Sequence, residues 1–206
     1  MKQDVKQDAL SPTQFLLYGD DGYTSHIVRF LLEEKAISYE FILTDDGKEE
    51  LAELNPYKTL PILTNREISL YEIGVMFEYL EERHPANSLL PHTPKERAMI
   101  RTLAWRIQKD WLSLAKVLLT HSDSFDDLAA STARKTLSDT LVTVAPLFGQ
   151  KPFFLSDKLT FCDILLVPFL WRLPMMQINL PAHLCRPLLE YQRRMTTRQG
   201  FIDSLI

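Results

Sequence analysis

The chain has 206 residues, is 46% hydrophobic and carries a net charge of −4. A chain of this length and apolar content can bury a sizeable core in one large domain or two small ones. It has no strongly basic block, which argues against direct binding to nucleic-acid phosphates. Its two cysteines, Cys162 and Cys185, stand beside apolar residues. They indicate buried free thiols, not a disulfide framework or a metal site.

The sequence also argues against a membrane location. The first ten residues are polar and mixed in charge, and they lack the apolar core of a signal peptide. No apolar run approaches the roughly 20 residues that a membrane-spanning helix needs. We therefore predict a cytoplasmic protein with no membrane partner.

Strand-like and helix-like runs alternate from about residue 14 to residue 82. The predicted order is strand, helix, strand, helix, strand, strand, helix, with Ser25 as a possible cap of the first helix. A parallel crossover followed by a hairpin suits a small sheet flanked by helices. The predicted strands lie in QFLLYGD, SYEFILT, LPILT and EISLYE.

A linker and an all-helical half follow. Three prolines, an asparagine and a serine in HPANSLLPHTP mark the linker. Every longer segment after it has helical periodicity, and LTFCDILLVPFLWRL is apolar enough to be buried on most sides. We predict an α+β domain over 12–84, a linker over 85–94 and an all-α domain over 95–206.

Four stretches resemble the glutathione transferase superfamily. Residues 25–29 before FLLEEK resemble its first helix, and Pro61 resembles its cis-proline. Glu72 stands where an acidic residue opens its third helix, and residues 160–163 resemble the capping box of its helical half. The resemblance implies the glutathione transferase fold, with a thioredoxin-like N-terminal domain and an all-helical C-terminal domain.

A closer resemblance is to one branch, the stringent starvation protein A family, which associates with bacterial RNA polymerase. It spans about residues 14 to 175, and FGQKPFFLSD and RIQKDW are specific to this branch. The resemblance implies a non-enzymatic transcription regulator of the stress response, a homodimer whose partners are RNA polymerase holoenzyme and its sigma factor. It implies no cofactor and no direct sequence-specific binding to nucleic acid. The matching stretches are TSHIVRFLLEEK, LAELNPYKTLPIL, YLEERHP, RIQKDW, VAPLFGQKPFFLSD and LWRLP.

The resemblance assigns a glutathione-like pocket to Leu60, Pro61 and Glu72. In the enzymes, the backbone before the cis-proline pairs with glutathione like an added strand. A serine or threonine after the acidic residue helps to hold the γ-glutamyl carboxylate. Here that position is Ile73, which donates nothing, and a lost donor costs about 1–3 kcal/mol. The alternative is that Pro61 only shapes the fold and that Glu72 favours the helix N-terminus.

No strong thiol-activating residue is visible. The cysteine position of omega-like enzymes falls near Gly22, and Tyr18 remains as a weak catalytic candidate. Tyr18 also suits a core position, and Ser25 suits a helix cap. Asp20 and Asp21 would repel a thiolate, so we predict that the activity is lost.

The linker carries the polymerase-binding surface that the resemblance implies. A proline–histidine–proline triplet of the family corresponds here to Pro85, Ala86 and Asn87, so only its first proline is present. The alternative is a solvated linker. The predicted surface adds four neighbours that supply polar and aromatic groups: Tyr79, Glu82, Arg83 and His84.

The remaining charged residues are interpreted as structural. Thr160 and Asp163 have the spacing of a capping box. Arg29, Arg106 and Arg172 lie in apolar runs and need partners, for which Glu33, Asp110 and Asp163 are available. The five histidines have no metal-ligand spacing, so no metal site is predicted.

Three hypotheses remain open from the sequence. The first is the polymerase-binding regulator, and the second is a glutathione-dependent transferase or thiol reductase with a weakened site. The third is a structural subunit, such as half of a heterodimer with a paralogue. By the resemblance alone, a homodimer interface is expected near Met76, Tyr79, Arg97 and Arg101.

Overall fold

A computed structural model describes residues 14–120 and 128–206. The chain divides into two compact units. The sheet unit takes the described residues up to Ser88 and, in addition, Asp203–Ile206. The helical unit is Leu89–Ile202.

The sheet unit contains four strands in the order β2-β1-β3-β4. They are β1 (Phe15–Gly19), β2 (Tyr39–Leu43), β3 (Ile62–Thr64) and β4 (Ser69–Leu70). Strand β1 pairs in parallel with β2 and antiparallel with β3, and β3 pairs antiparallel with β4. The first three residues of β1 are fully buried, as expected for a central strand covered on both faces.

Two α-helices belong to this sheet, and the helix predicted between β2 and β3 is only a 3-10 turn, Glu49–Leu51. Helix α1 (Tyr23–Glu34) has nine buried residues. In helix α2 (Ile73–Arg83), Met76, Phe77 and Leu80 are buried, because their spacing places them on one face of the helix. The prediction of Ser25 as the cap of α1 is wrong. The capping position is Gly22, so Ser25 lies within the first turn of the helix.

The final residues complete the sheet unit. The Arg29 side chain donates from Nε to the Ser204 carbonyl at 2.8 Å and from Nη1 to the Asp20 carbonyl at 3.0 Å. His26 Nε2 lies 2.9 Å from Ser204 Oγ, and all of these side chains on α1 are buried. Buried polar groups need such partners, so residue 204 is part of the core that α1 forms.

The helical unit begins with one long helix in three segments. Helix α3 (Pro94–Arg106) starts with proline in its first turn after the capping residue Thr93. A π-helical segment, Ile107–Leu112, joins it to α4 (Ser113–Thr120). The remaining described helices are α5 (Leu128–Val144), α6 (Phe161–Trp171), α7 (Ala182–Thr196) and α8 (Gln199–Asp203).

Helix α6 is the core of the helical unit, because all of its first ten residues are buried. Its first turn holds a complete capping box between Thr160 and Asp163. The Asp163 carboxylate also accepts from the Phe154 backbone at 2.8 Å and from the Tyr191 hydroxyl at 2.7 Å. One buried side chain therefore connects α6 to a loop and to α7.

The predicted arginine pairs are only partly correct. Arg106 and Asp110 form an ion pair of 2.7 Å, although the Arg106 side chain is exposed. The carboxylates proposed for Arg29 and Arg172 bind other groups: Glu33 accepts from Tyr39, and Asp163 serves the capping box. Arg29 donates to carbonyls instead, and Arg172 donates to the Pro168 carbonyl at 3.2 Å.

Within residues 14–120 and 128–206, no helix is both long and apolar enough to cross a membrane. In the same residues, histidine, cysteine and acidic side chains form no group that could hold a metal ion.

Candidate functional site

The proline turn lies at the start of β3. The Leu60–Pro61 peptide bond is cis, and Pro61 is buried. The Leu60 N–H, which the resemblance assigns to a ligand, donates to the Asp46 carboxylate at 2.8 Å. A backbone donor that already has a charged acceptor offers little to a peptide ligand. The chain therefore occupies part of its own predicted binding edge.

The loop that carries Asp46 is fastened to the proline segment. The Gly47 N–H donates to the Lys58 carbonyl at 2.9 Å, and Lys58 Nζ lies 2.5 Å from the Glu49 carboxylate. Buried Asn55 donates to the Thr59 carbonyl at 2.9 Å and shapes the turn between them. These bonds hold the loop in the position from which Asp46 reaches Leu60.

Glu72 and Ile73 mark the start of α2. Glu72 has extended backbone angles at the capping position, and its side chain makes no capping hydrogen bond. The carboxylate is exposed at the helix N-terminus, where negative charge is favourable. Ile73 is half-buried and supplies no hydroxyl beside it. The start of α2 thus lacks the side-chain donor that a γ-glutamyl carboxylate needs.

Tyr18 lies on the central strand below this turn. It packs with Leu60 and Tyr71 against a small buried cluster of Leu51, Leu54 and Ile62. Burial raises the pKa of Tyr18, and the nearby negative charge of Glu40 raises this pKa further. The phenol therefore stays protonated, but the same charge disfavours a thiolate beside it.

The loop between β1 and α1 is closed to a catalytic thiol or hydroxyl. The Ser25 hydroxyl is fully buried; it donates to the Asp20 carboxylate at 2.5 Å and accepts from the Asp20 N–H at 3.1 Å. The same carboxylate accepts from the Gly22 N–H at 3.1 Å. A Cβ at Gly22 would lie 2.9 Å from this carboxylate, so a cysteine does not fit here without rearrangement.

The predicted partner surface is a continuous stretch of the sheet unit. Pro85, Ala86 and Asn87 are exposed, and Asn87 adopts a left-handed backbone conformation. Tyr79 packs edge-on against Phe15, with ring centroids 6.4 Å apart. The structure brings these residues together with the exposed side chains of Glu82 and Arg83 on the last turn of α2.

His84 is the unusual member of this surface. Its ring packs against Phe15 at 6.0 Å, and its buried Nε2 atom has no hydrogen-bond partner within the described chain. Burial lowers the pKa of His84, and the positive charges of Arg83 and Lys35 lower this pKa further. The imidazole is therefore neutral near pH 7 and offers an unused polar atom.

A buried ion pair lies beneath the linker. Lys35 Nζ is 2.7 Å from the Glu81 carboxylate, and the two side chains are 0% and 3% exposed. The other Glu81 oxygen accepts from the Ser88 hydroxyl at 2.7 Å, and Lys35 also reaches the Asn87 carbonyl at 3.5 Å. The pair thus connects the end of α1 with α2 and binds the C-terminal end of the exposed segment 85–88, at residues 87 and 88.

Sequence reasoning missed three of these residues. Asp46, Lys35 and Glu81 stand in charged runs that are typical of solvated surfaces. No spacing rule connects a residue with a partner in another element. An unbroken Glu-Glu-Lys run at a predicted helix end was the only available signal for Lys35.

Comparison with known proteins addresses the family. The family models for the N-terminal and C-terminal domains of glutathione S-transferases match residues 17–88 and 110–192. A stringent starvation protein A homolog from Coxiella burnetii is 35% identical over 88% of this chain and 86% of the relative. Another from Pasteurella multocida is 34% identical over 87% and 84%. The chain belongs to the stringent starvation protein A family.

Solved structures agree with this family in fold. The bacterial glutathione S-transferase BphK has a TM-score of 0.81 at 22% identity, over 92% of this chain and 97% of the other. Ure2p in complex with glutathione has a TM-score of 0.79 at 15% identity, over 94% and 93%. The thioredoxin-like N-terminal domain and the all-helical C-terminal domain expected from the resemblance are confirmed.

The geometry of this stringent starvation protein A family member gives a direct prediction about glutathione. The double substitution Asp46→Ala and Ile73→Ser frees the Leu60 N–H and adds a hydroxyl at the start of α2. We expect the double variant to bind glutathione about tenfold to a hundredfold more tightly than the unchanged protein, by isothermal titration calorimetry.

The control is Asp45→Ala, which removes a neighbouring exposed carboxylate that pairs with Lys48. It should leave glutathione affinity unchanged. An equal gain from Asp45→Ala would show that general charge, and not the Leu60 contact, limits binding.

Proposed function

We propose that this protein is a non-enzymatic transcription regulator that associates with bacterial RNA polymerase holoenzyme through its sigma factor. Its proposed place of action is the cytoplasm, during starvation or stationary phase. Membership of the stringent starvation protein A family supports this proposal. The observation that carries the non-enzymatic part is the Asp46 carboxylate on the Leu60 N–H, where a thiol peptide would bind.

The linker supplies the proposed contact with the polymerase. Pro85, Ala86 and Asn87 project beside His84, whose buried Nε2 atom is left without a bond in the described chain. The ion pair of Lys35 and Glu81 fixes the backbone below them. An exposed segment on a rigid support loses little conformational entropy on binding, which favours specific recognition. We also propose that the protein acts as a homodimer.

A pull-down of RNA polymerase from bacterial lysate tests the proposal. The unchanged protein should enrich polymerase and its sigma factor well above an unrelated glutathione transferase. The variant with His84→Ala, Pro85→Ala and Asn87→Gly should lose most of this enrichment, since glycine keeps the left-handed conformation at 87. A matched variant on the helical unit, with Lys135→Ala and Lys158→Ala, should retain it. Equal recovery by the transferase control would refute the proposal.

The second candidate function is a glutathione-dependent transferase or thiol reductase. The match of residues 17–88 and 110–192 to the two glutathione S-transferase family models favours it. Turnover of a generic electrophile with glutathione by the unchanged protein would establish this function instead. Sedimentation of the purified protein tests the homodimer, and a monomer would favour a missing paralogous partner.

A further inference from the structure

The net charge of −4 is divided unequally between the two units. Segments 1–88 and 203–206 together carry 18 acidic and 8 basic side chains, a net charge of −10. Leu89–Ile202 carries 9 acidic and 15 basic side chains, a net charge of +6. The net charge of the helical unit therefore favours an acidic partner, although the chain as a whole is acidic.

Two arginines of the helical unit pack against the loop formed by residues 151–156. Arg194 Nη2 donates to the Pro152 carbonyl at 2.6 Å, and its guanidinium lies 5.7 Å from the Tyr191 ring centroid. The Arg198 guanidinium lies 5.7 Å from the ring centroid of Phe153. Each arginine therefore has a defined position before any partner arrives.

The loop, residues 151–156, is held by hydrogen bonds and by packing. Phe153 and Ser156 exchange backbone hydrogen bonds of 3.0 and 3.3 Å. The buried Phe154 ring packs 4.6 Å from Phe148, and the Phe154 N–H donates to Asp163. Binding to a surface that is already ordered carries a smaller entropic cost.

Leu155 stands at the tip of this loop. Its φ is +54°, in the left-handed region that disfavours a leucine, and the residue is 37% exposed. Strained residues of this kind concentrate at binding sites. Backbone preference does not account for a leucine at this position, whereas contact of its exposed part with an apolar group of a partner would account for it.

We propose that Lys151, Leu155, Arg194 and Arg198 form a docking surface for an acidic segment of a protein partner that also carries an apolar side chain. Carboxylates of the partner bind the two guanidinium groups and Lys151, whose Nζ now pairs with Asp157. The apolar side chain packs on Leu155. This surface lies outside the linker and does not depend on the polymerase contact.

The composition of the docking surface favours a protein over a nucleic acid. Its exposed apolar group is aliphatic, whereas nucleic-acid bases are held by stacking on aromatic rings. An acidic peptide can place an aliphatic group at Leu155 and carboxylates beside the arginines.

A phage-displayed library of random peptides, selected on the intact protein, tests this docking surface. We expect enriched peptides in which aspartate or glutamate flanks an aliphatic residue. The most enriched peptide is then synthesised, and its affinity is measured by fluorescence anisotropy. Failure to enrich any sequence, or enrichment of basic peptides, would overturn the proposal.

Three variants assign the binding to the docking surface. Leu155→Asn should weaken the peptide about fivefold to tenfold without unfolding, because asparagine tolerates the left-handed conformation. Arg198→Gln should weaken it to a similar degree. The control Lys135→Gln removes an exposed cation elsewhere on the helical unit and should leave affinity unchanged.

Two further outcomes of these measurements contradict the proposal. An equal loss with Lys135→Gln would mean that only net charge attracts the peptide. The other outcome is that a labelled DNA duplex binds the protein and loses this binding with Leu155→Asn and Arg198→Gln. That result would mean that the docking surface binds nucleic acid. The linker substitutions used in the polymerase pull-down should leave the affinity for the peptide unchanged. The two proposals can therefore fail independently.

Discussion

Replacing Glu81 by alanine is expected to lower the free energy of unfolding by about 3–5 kcal/mol. The change leaves the Lys35 ammonium buried without its carboxylate, and a buried unpaired charge is far more costly than a missing contact. It also removes the acceptor of the Ser88 hydroxyl. The measurement is urea-induced unfolding followed by far-UV circular dichroism.

A double variant separates charge from packing. Lys35→Met combined with Glu81→Leu removes both charges and keeps similar volumes, so it should recover most of the lost stability. Asp139→Ala, which breaks a solvent-screened ion pair with Lys135, should leave the free energy of unfolding almost unchanged. If Glu81→Ala costs no more than Asp139→Ala, the ion pair does not support the linker.

Replacing Asp163 by alanine is expected to cost a similar amount, about 3–5 kcal/mol. The carboxylate is fully buried and accepts from the backbones of Phe154 and Thr160 and from the hydroxyls of Thr160 and Tyr191. Its removal leaves several buried donors without an acceptor, and each such donor costs about 1–3 kcal/mol before the structure relaxes.

The matched control for Asp163 lies six residues earlier. Asp157 is exposed and pairs only with Lys151 among its described ion pairs, so Asp157→Ala should change stability by less than about 1 kcal/mol. Both variants are compared by the urea midpoint of unfolding. A loss with Asp163→Ala that does not exceed the loss with Asp157→Ala would show that the capping box is dispensable.

Interactions between residues that are close in sequence could be predicted, whereas interactions between distant residues could not. The two residues of the capping box are three positions apart, and the burial of α6 follows from its continuous apolar run, so local patterns were sufficient for both. The prediction for the cap of α1 failed because the Ser25 hydroxyl donates to the carboxylate of Asp20, five residues earlier, and does not cap the helix. Residue preferences at helix N-termini identify residues that can cap a helix, but they do not determine which of several nearby residues takes the capping position.

The contacts that determine the candidate site join distant residues. Asp46 and Leu60 are 14 positions apart, and Lys35 and Glu81 are 46 apart. A hydrophobic pattern predicts which face of an element is buried but not which charged side chain reaches across to it. The resemblance located the proline turn, whereas only the structure shows that the Leu60 N–H of this turn is already bound by the Asp46 carboxylate.

The Arg29–Ser204 contact has a consequence for folding during synthesis. The first unit of the chain to leave the ribosome carries a buried guanidinium and a buried imidazole whose shared partner, Ser204, lies 175 positions after Arg29 and 178 after His26. Until that residue emerges, each of the two side chains lacks one of its hydrogen-bond partners, and the sheet unit is less stable than it is once residue 204 has joined it. A chain that ends before residue 204 would therefore have a less stable sheet unit, which is the unit that carries the proposed linker surface.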